Sequence, residues 1–394
     1  MAITKKINKA LIILLLVMFP FGQLVRLDVA FQGKSVPLLG IDFLAGLATV
    51  WVIYSKTKKS YEFKHLLNIL LVFLVSFLLS FAIFPPKLLL LGFLYLVRLG
   101  IYLGLYVLVR NFTKSKENRS FLMGSMLVVV VFTAIFGWLQ YYYYPDLRSF
   151  TVWGWDDHLL RLTGTFFDPG YSGLIYGLGA ILAYHYYYAT KSKKYGIMAF
   201  FLAITVLFTY SRASIIALLL GTLMYFGYVK RNMKKMGIII TLMFVLGSLL
   251  LPRGGGAGVM LERTFSIFSR LIDYRGTLLI WQKFPLFGVG YNNICFAKQQ
   301  ILGYGSLASH SCFGADSSLL LILATTGIAG LLIIASSLKL ILLGLRKSRL
   351  KAFVYASLLT ILVHSLFVNS LFYSWVIVWM IFTLSLGLGT KLKS

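Results

Sequence analysis

Apolar blocks about as long as a bilayer is thick return from one end of the chain to the other, separated by short polar junctions. A helix needs about 20 apolar residues to cross a hydrocarbon core of about 30 Å. Such blocks fall near 10–25, 37–54, 65–84, 88–109, 121–141, 169–189, 195–209, 213–229, 236–251, 317–343, 351–368 and 371–388. The pattern predicts an all-α fold: a polytopic bundle of about twelve transmembrane helices forming a single membrane domain over 1–394. The polar interruption TYSRAS at 209–214 divides the seventh block from the eighth. The first block, KKINKALIILLLVMFPFG, starts like a secretory signal but has no small-residue cleavage site, so it reads as the first span.

The junctions alternate in character. Basic residues gather at every second one: Lys5, Lys6 and Lys9; Lys56, Lys58, Lys59 and Lys64; Arg110, Lys114, Lys116 and Arg119; Lys191, Lys193 and Lys194; Lys230, Arg231, Lys234 and Lys235; Arg346, Lys347, Arg349 and Lys351; Lys391 and Lys393. The other junctions are longer and poorer in Lys and Arg, the asymmetry that marks cytoplasmic against external loops. Both termini are therefore expected in the cytoplasm. The long stretches 142–168 and 252–316 become external loops, where function is to be sought.

Composition agrees. At 59% hydrophobic, 12% charged and a mean hydropathy of +0.85, the chain carries more apolar surface than a water-soluble fold of this length can hide. A formal charge of +27, from 38 Lys and Arg against 11 Asp and Glu, raises the question of nucleic acid. The scattering of that charge into loop clusters, with no contiguous basic face, argues against it. No GxxxxGK[ST] phosphate loop occurs, and GVG at 288–290 lies in PLFGVGYNN, which reads as a turn. Cys295 and Cys312 both fall in the second external loop, where they either pair in an oxidising compartment or remain separate thiols.

Four stretches carry the polar chemistry: RLTGTFFDPG at 161–170, FTYSRAS at 208–214, LERTFSIFSRLIDYRGTLLIWQKFPLFGVG at 261–290, and SHSCFGADSSLLLILATTGIAG at 309–330. In the third, Leu261, Phe265, Phe268, Leu271, Ile272, Leu279 and Trp281 recur at helical spacing, while Arg263 and Arg270 fall nearly on one face. That is an amphipathic helix suited to the membrane interface. Arginine matches a diphosphate better than lysine, because its planar fork pairs with phosphate oxygens and stays charged. Arg161, Arg212, Arg270 and Arg275 are the candidates. A base able to deprotonate a hydroxyl could be any of Asp156, Asp157, Asp168, Glu262, Asp273, His158, His310 or Asp316. The Asp156–Asp157 pair is a weak cation signal, and no metal is expected. Inside the spans, Arg98 is expected to form a structural ion pair and His364 to be a hydrogen-bonded packing residue.

On these stretches the chain resembles the O-antigen polymerase and O-antigen ligase superfamily of bacterial surface-polysaccharide enzymes. Ser211 and Arg212 match its Ser-Arg pair between two central spans. Arg275, Trp281 and Pro285 through Gly290 match an Arg, a Trp and a Pro-x-x-Gly-x-Gly turn, and Arg161, Gly164, Asp168 and Pro169 match an earlier segment. The resemblance implies a GT-C-like glycosyltransferase of the bacterial cytoplasmic membrane that is metal-independent and works without a cofactor. Its substrates would be polyprenyl-diphosphate-linked oligosaccharides, a chain-length regulator its partner, and Arg212, Arg275, Asp316 and His310 its catalytic residues. Ligases of the superfamily carry a His-Asn pair eleven residues before a glycine that here is Gly327, and this chain has Asp316 and Ser317 there. The departure favours a polymerase over a ligase that delivers glycan to a lipid A core or another acceptor. The competing class is a lipid-linked oligosaccharide flippase or secondary transporter. Such a carrier would show deep charges in several helices and two similar halves; here Arg98 is the main deep charge.

Overall fold

The computed structural model describes residues 2–31, 34–153, 155–229, 231–252, 257–261, 264–305, 312 and 314–389. Its helices are α1 (Ala2–Met18), α2 (Gly40–Tyr54), α3 (Phe63–Leu79), α4 (Pro86–Phe112), α5 (Lys116–Tyr143), α6 (Pro169–Thr190), α7 (Lys193–Phe208), α8 (Arg212–Tyr228), α9 (Arg231–Leu249), α10 (Phe265–Lys283), α11 (Ile294–Ala297), α12 (Ser318–Leu345), α13 (Lys351–His364) and α14 (Ser374–Gly389). Each apolar block of the sequence is a helix, and the stretch read as an interfacial helix is α10. Among the described residues five stretches, Ile3–Leu24, Phe63–Ala82, Leu89–Phe112, Lys116–Tyr143 and Ser318–Leu345, are long and apolar enough to cross a membrane, and shorter apolar helices accompany them. The chain is an integral membrane protein. One element departs from an all-α expectation: Arg26–Phe31 (β1) and Lys34–Leu39 (β2) pair antiparallel between α1 and α2, with Arg26 opposite Leu39.

Polar residues set the helix starts. Ser115, Asp168, Ser211 and Ser317 precede α5, α6, α8 and α12, and each side chain accepts a hydrogen bond from an amide of the first turn. Pro86 and Pro169 stand at first helical positions, where the missing N–H costs nothing.

The centre is α6, buried along Pro169–Ala183 and packed against α5, α7, α8 and α13. Its neighbours are protein rather than lipid, so it tolerates glycine and tyrosine where an outer helix would need leucine. A Cβ at Gly173 would lie 2.6 Å from Ser214 Oγ, and one at Gly179 2.4 Å from Val130 Cγ1, so these glycines set how closely α8 and α5 approach. The main apolar core runs through α1, α2, α4–α8, α13 and α14, whereas a second gathers Phe73, Phe77, Ile280, Val289, Ile294, Leu321 and Ala324. That second core anchors the large 252–316 loop against α3 and α12. Buried Asp42 of α2 ties the bundle together: it pairs with Arg98 of α4 at 2.6 Å and accepts from Ser374 of α14 at 2.9 Å and from Tyr102. Arg98 is thus half of a structural ion pair.

The turn 285–290 is a backbone splice. α12 breaks at Gly327, whose φ is +66. The amides of Val289 and Gly290 donate to the carbonyls of Ala324 and Thr325, both at 3.0 Å, and the amides of Ile328 and Ala329 donate to Pro285 and Leu286 at 2.9 and 3.2 Å. A broken apolar helix must find partners for its freed groups within the protein, and the turn supplies them. Its glycines are demanded by space: a Cβ on Gly327 would stand 2.2 Å from Leu286 O, and one on Gly288 2.3 Å from Thr325 C.

Candidate active site

The starts of α6, α8 and α12 and the end of α13 meet at the end of the bundle that carries the long loops, and α10 lies across them. Arg212 opens α8 and donates to Leu261 O at 3.1 Å and to Ser266 Oγ at 2.6 Å. Arg270, one turn further along α10, lines with Arg212 a cavity of about 320 Å³ whose walls include Ile267, Tyr274 and Phe367. Tyr274 donates its hydroxyl to Leu366 O at 2.5 Å, which pins α10 over the end of α13. Two guanidinium groups therefore converge on one apolar-walled recess.

Behind them lies an ordered polar layer. Ser211 caps α8, and Ser214 donates to Ser211 Oγ and Gly170 O, both at 2.9 Å, so the starts of α8 and α6 are tied. Fully buried His364 lies 3.2 Å from Ser214 Oγ and 2.5 Å from Ser370 Oγ, as a hydrogen-bonded packing residue would. Arg161 is buried and donates to the carbonyls of Thr209 and Tyr210 at 3.1 and 3.4 Å. It braces the turn from which Arg212 springs. Leu160, Phe167 and Tyr210 have φ of +54, +55 and +51. Each stands directly before a motif, Arg161, Asp168 or Ser211–Arg212, and such left-handed backbone costs about 1–3 kcal/mol per residue, which packing must offset.

Two carboxylates feel the charge of Arg270. Asp168 caps α6 by accepting from the Tyr171 amide at 2.8 Å. Burial raises its carboxyl above the ordinary range, while that amide and the charges of Arg161 and Arg270 pull it back. Asp316 is raised by burial and by the charge of Asp273, against the pull of Arg270 and Lys298. Arg270 thus acts on both carboxylates and shares a cavity with Arg212. Tyr171 stacks on Tyr373 with ring centroids 3.8 Å apart, forming an aromatic wall beside Asp168.

The other candidates divide. Arg275 is exposed, five residues on from Arg270 and outside the lining of the cavity. Arg263, Glu262 and His310 lie outside the described residues. Cys295 and Cys312 form a disulfide. Asp156, His158 and Asp168 each place a ligand atom within 4.8 Å of the others, the one group among the described residues with the donors for a cation. Burial and the neighbouring Arg161 charge push the His158 imidazole down to about 4, leaving it neutral. Arg161 places a positive charge beside this group, and Asp168 also caps α6. Sequence reasoning did not pick out Tyr274, Ser266 or Lys298. Tyr274 had a signal, since it stands four residues from Arg270 on a predicted helix.

A search of curated proteins finds no match to this chain. Residues 197–335 match the sequence profile of the O-antigen ligase family. That stretch holds the Ser211–Arg212 turn, α10, Asp316 and the 285–290 splice, and over it the chain is similar to the O-antigen ligase family.

Proposed function

We propose that the protein is a polymerase that joins polyprenyl-diphosphate-linked oligosaccharide units into a surface polysaccharide at the outer face of the bacterial cytoplasmic membrane. The observation that carries this reading is the convergence of Arg212 and Arg270 on one apolar-walled cavity, with Asp168 and Asp316 in the field of Arg270. Basic clusters at alternate junctions support twelve spans with both termini in the cytoplasm, which turns this cavity outward.

In the reaction, Arg212 and Arg270 bind the diphosphate and stabilise the negative charge that grows on it as the anomeric C–O bond breaks. Asp316 takes the proton from a sugar hydroxyl of the second unit. The oxygen forms the new glycosidic bond and polyprenyl diphosphate leaves. Arg161 keeps the 208–212 turn in place, and the interfacial apolar face of α10 lies beside the lipid tails. The two guanidinium groups supply positive charge to the diphosphate, the part a divalent cation plays in other phosphoryl-leaving reactions. A base whose carboxyl is raised by burial makes the rate fall as pH drops toward that raised value.

A ligase reading draws support from the family's own description, whereas Asp316 and Ser317 in place of a His-Asn pair favour the polymerase. Purified protein in nanodiscs with lipid-linked repeat units separates them. The proposal expects a ladder of longer lipid-linked glycans from these units alone. Transfer only when a lipid A core or another acceptor is added would make it a ligase; faster bilayer crossing with no new bond would make it a carrier.

A further inference from the structure

Asp273 and Lys298 form an ion pair of 2.8 Å within the folded part of the large loop. Lys298 is buried and also donates to Gly314 O at 3.0 Å, while the second oxygen of Asp273 accepts the amide of Asp316 at 2.8 Å. The pair therefore grips the backbone on both sides of Ala315. A few residues upstream, the Cys295–Cys312 disulfide ties the same segment to α11. Asp273 lies on α10 one turn beyond Arg270, so one helix carries both an arginine of the cavity and the acceptor that holds the Asp316 amide.

We propose that Asp273 and Lys298 are a positioning pair that sets where the Asp316 carboxylate stands. The inference rests on the reading of Asp316 as base. The groups that act on Asp316 are Asp273 and Arg270 from α10, Lys298 from the segment after α11, and Asp156 from the 142–168 loop; it in turn acts on Tyr274 and on Tyr171 of α6. Asp273 favours the protonated carboxyl and Lys298 the ionised one. Lys298 is buried and Asp273 is half-buried, so water screens the lysine charge least.

The opposed signs give the test. Rate against pH is measured for wild type, Asp273→Asn, Lys298→Met, Lys298→Arg and Asp316→Asn, using lipid-linked oligosaccharide from the native membrane, with binding of that lipid measured in parallel. The pair predicts that kcat falls about tenfold or more in Asp273→Asn and Lys298→Met while lipid binding is kept. The acidic limb moves to lower pH in the first and to higher pH in the second, and Lys298→Arg restores most of the rate. Equal losses with unmoved limbs, or lost lipid binding in both variants, would reduce the pair to a structural tie and overturn the inference. An active Asp316→Asn would remove the base reading itself, a failure distinct from that of the pair.

Discussion

The turn at 208–212 and the turn at 285–290 look alike in the sequence: each is a short polar or glycine-bearing interruption beside apolar blocks. The structure gives them opposite duties. In the first, Arg161 holds the carbonyls of Thr209 and Tyr210, and the turn presents Arg212 to a cavity. In the second, the polar groups are consumed internally, four backbone hydrogen bonds closing the break in α12. Backbone is costly to expose in an apolar medium, so a motif there can exist only to satisfy a neighbouring helix. The first turn should govern chemistry and the second should govern folding.

The largest expected effect comes from replacing both Arg212 and Arg270 with alanine. Each charge-assisted bond contributes about 1.5–3 kcal/mol, so activity should fall about a hundredfold to ten-thousandfold. Thermal unfolding in detergent should change little, and a large fall in the unfolding temperature would erase the distinction between the turns. Asp42→Ala serves as a reference away from both. Leaving Arg98 without its buried partner should cost about 3–5 kcal/mol, read as an earlier unfolding transition. Gly327→Ala should be next, at about 2–4 kcal/mol, because a Cβ would enter the Leu286 carbonyl from a backbone with positive φ. If it leaves stability intact and lowers only the rate, the splice is part of the chemistry. Arg275→Ala should matter least, with a rate within about threefold of wild type, since the exposed side chain lies outside the cavity.

Much of the fold could be read from the sequence because lipid imposes a simple rule on length and hydropathy. The helices follow the apolar blocks, and α10 falls where helical spacing was read at 261–281. The β1–β2 hairpin escaped notice because residues 26–39 run into the second apolar block and were read as a junction, although Arg26, Leu27, Asp28 and Val29 alternate as a strand does. The centrality of α6 was also hidden: its glycines and tyrosines lower its hydropathy, and only its packing explains why. Of the proposed site, Ser211–Arg212, Arg161, Asp168 and Asp316 were singled out in the sequence by their polar chemistry in the predicted external turns and by the family resemblance. The choice between Arg270 and Arg275 was not legible, since five residues rotate a side chain by about 140° around a helix and only the docking of α10 says which face looks inward. The Asp273–Lys298 clamp joins positions far apart in the chain, and nothing local announces it.

The most direct measurement is single-turnover glycan transfer from lipid-linked repeat units in nanodiscs, comparing wild type with Arg270→Ala and Arg275→Ala. The account predicts that Arg270→Ala slows the new glycosidic bond by about tenfold to a hundredfold, whereas Arg275→Ala stays close to wild type. A slow Arg275→Ala beside a normal Arg270→Ala would place the diphosphate on the other face of α10 and contradict the account.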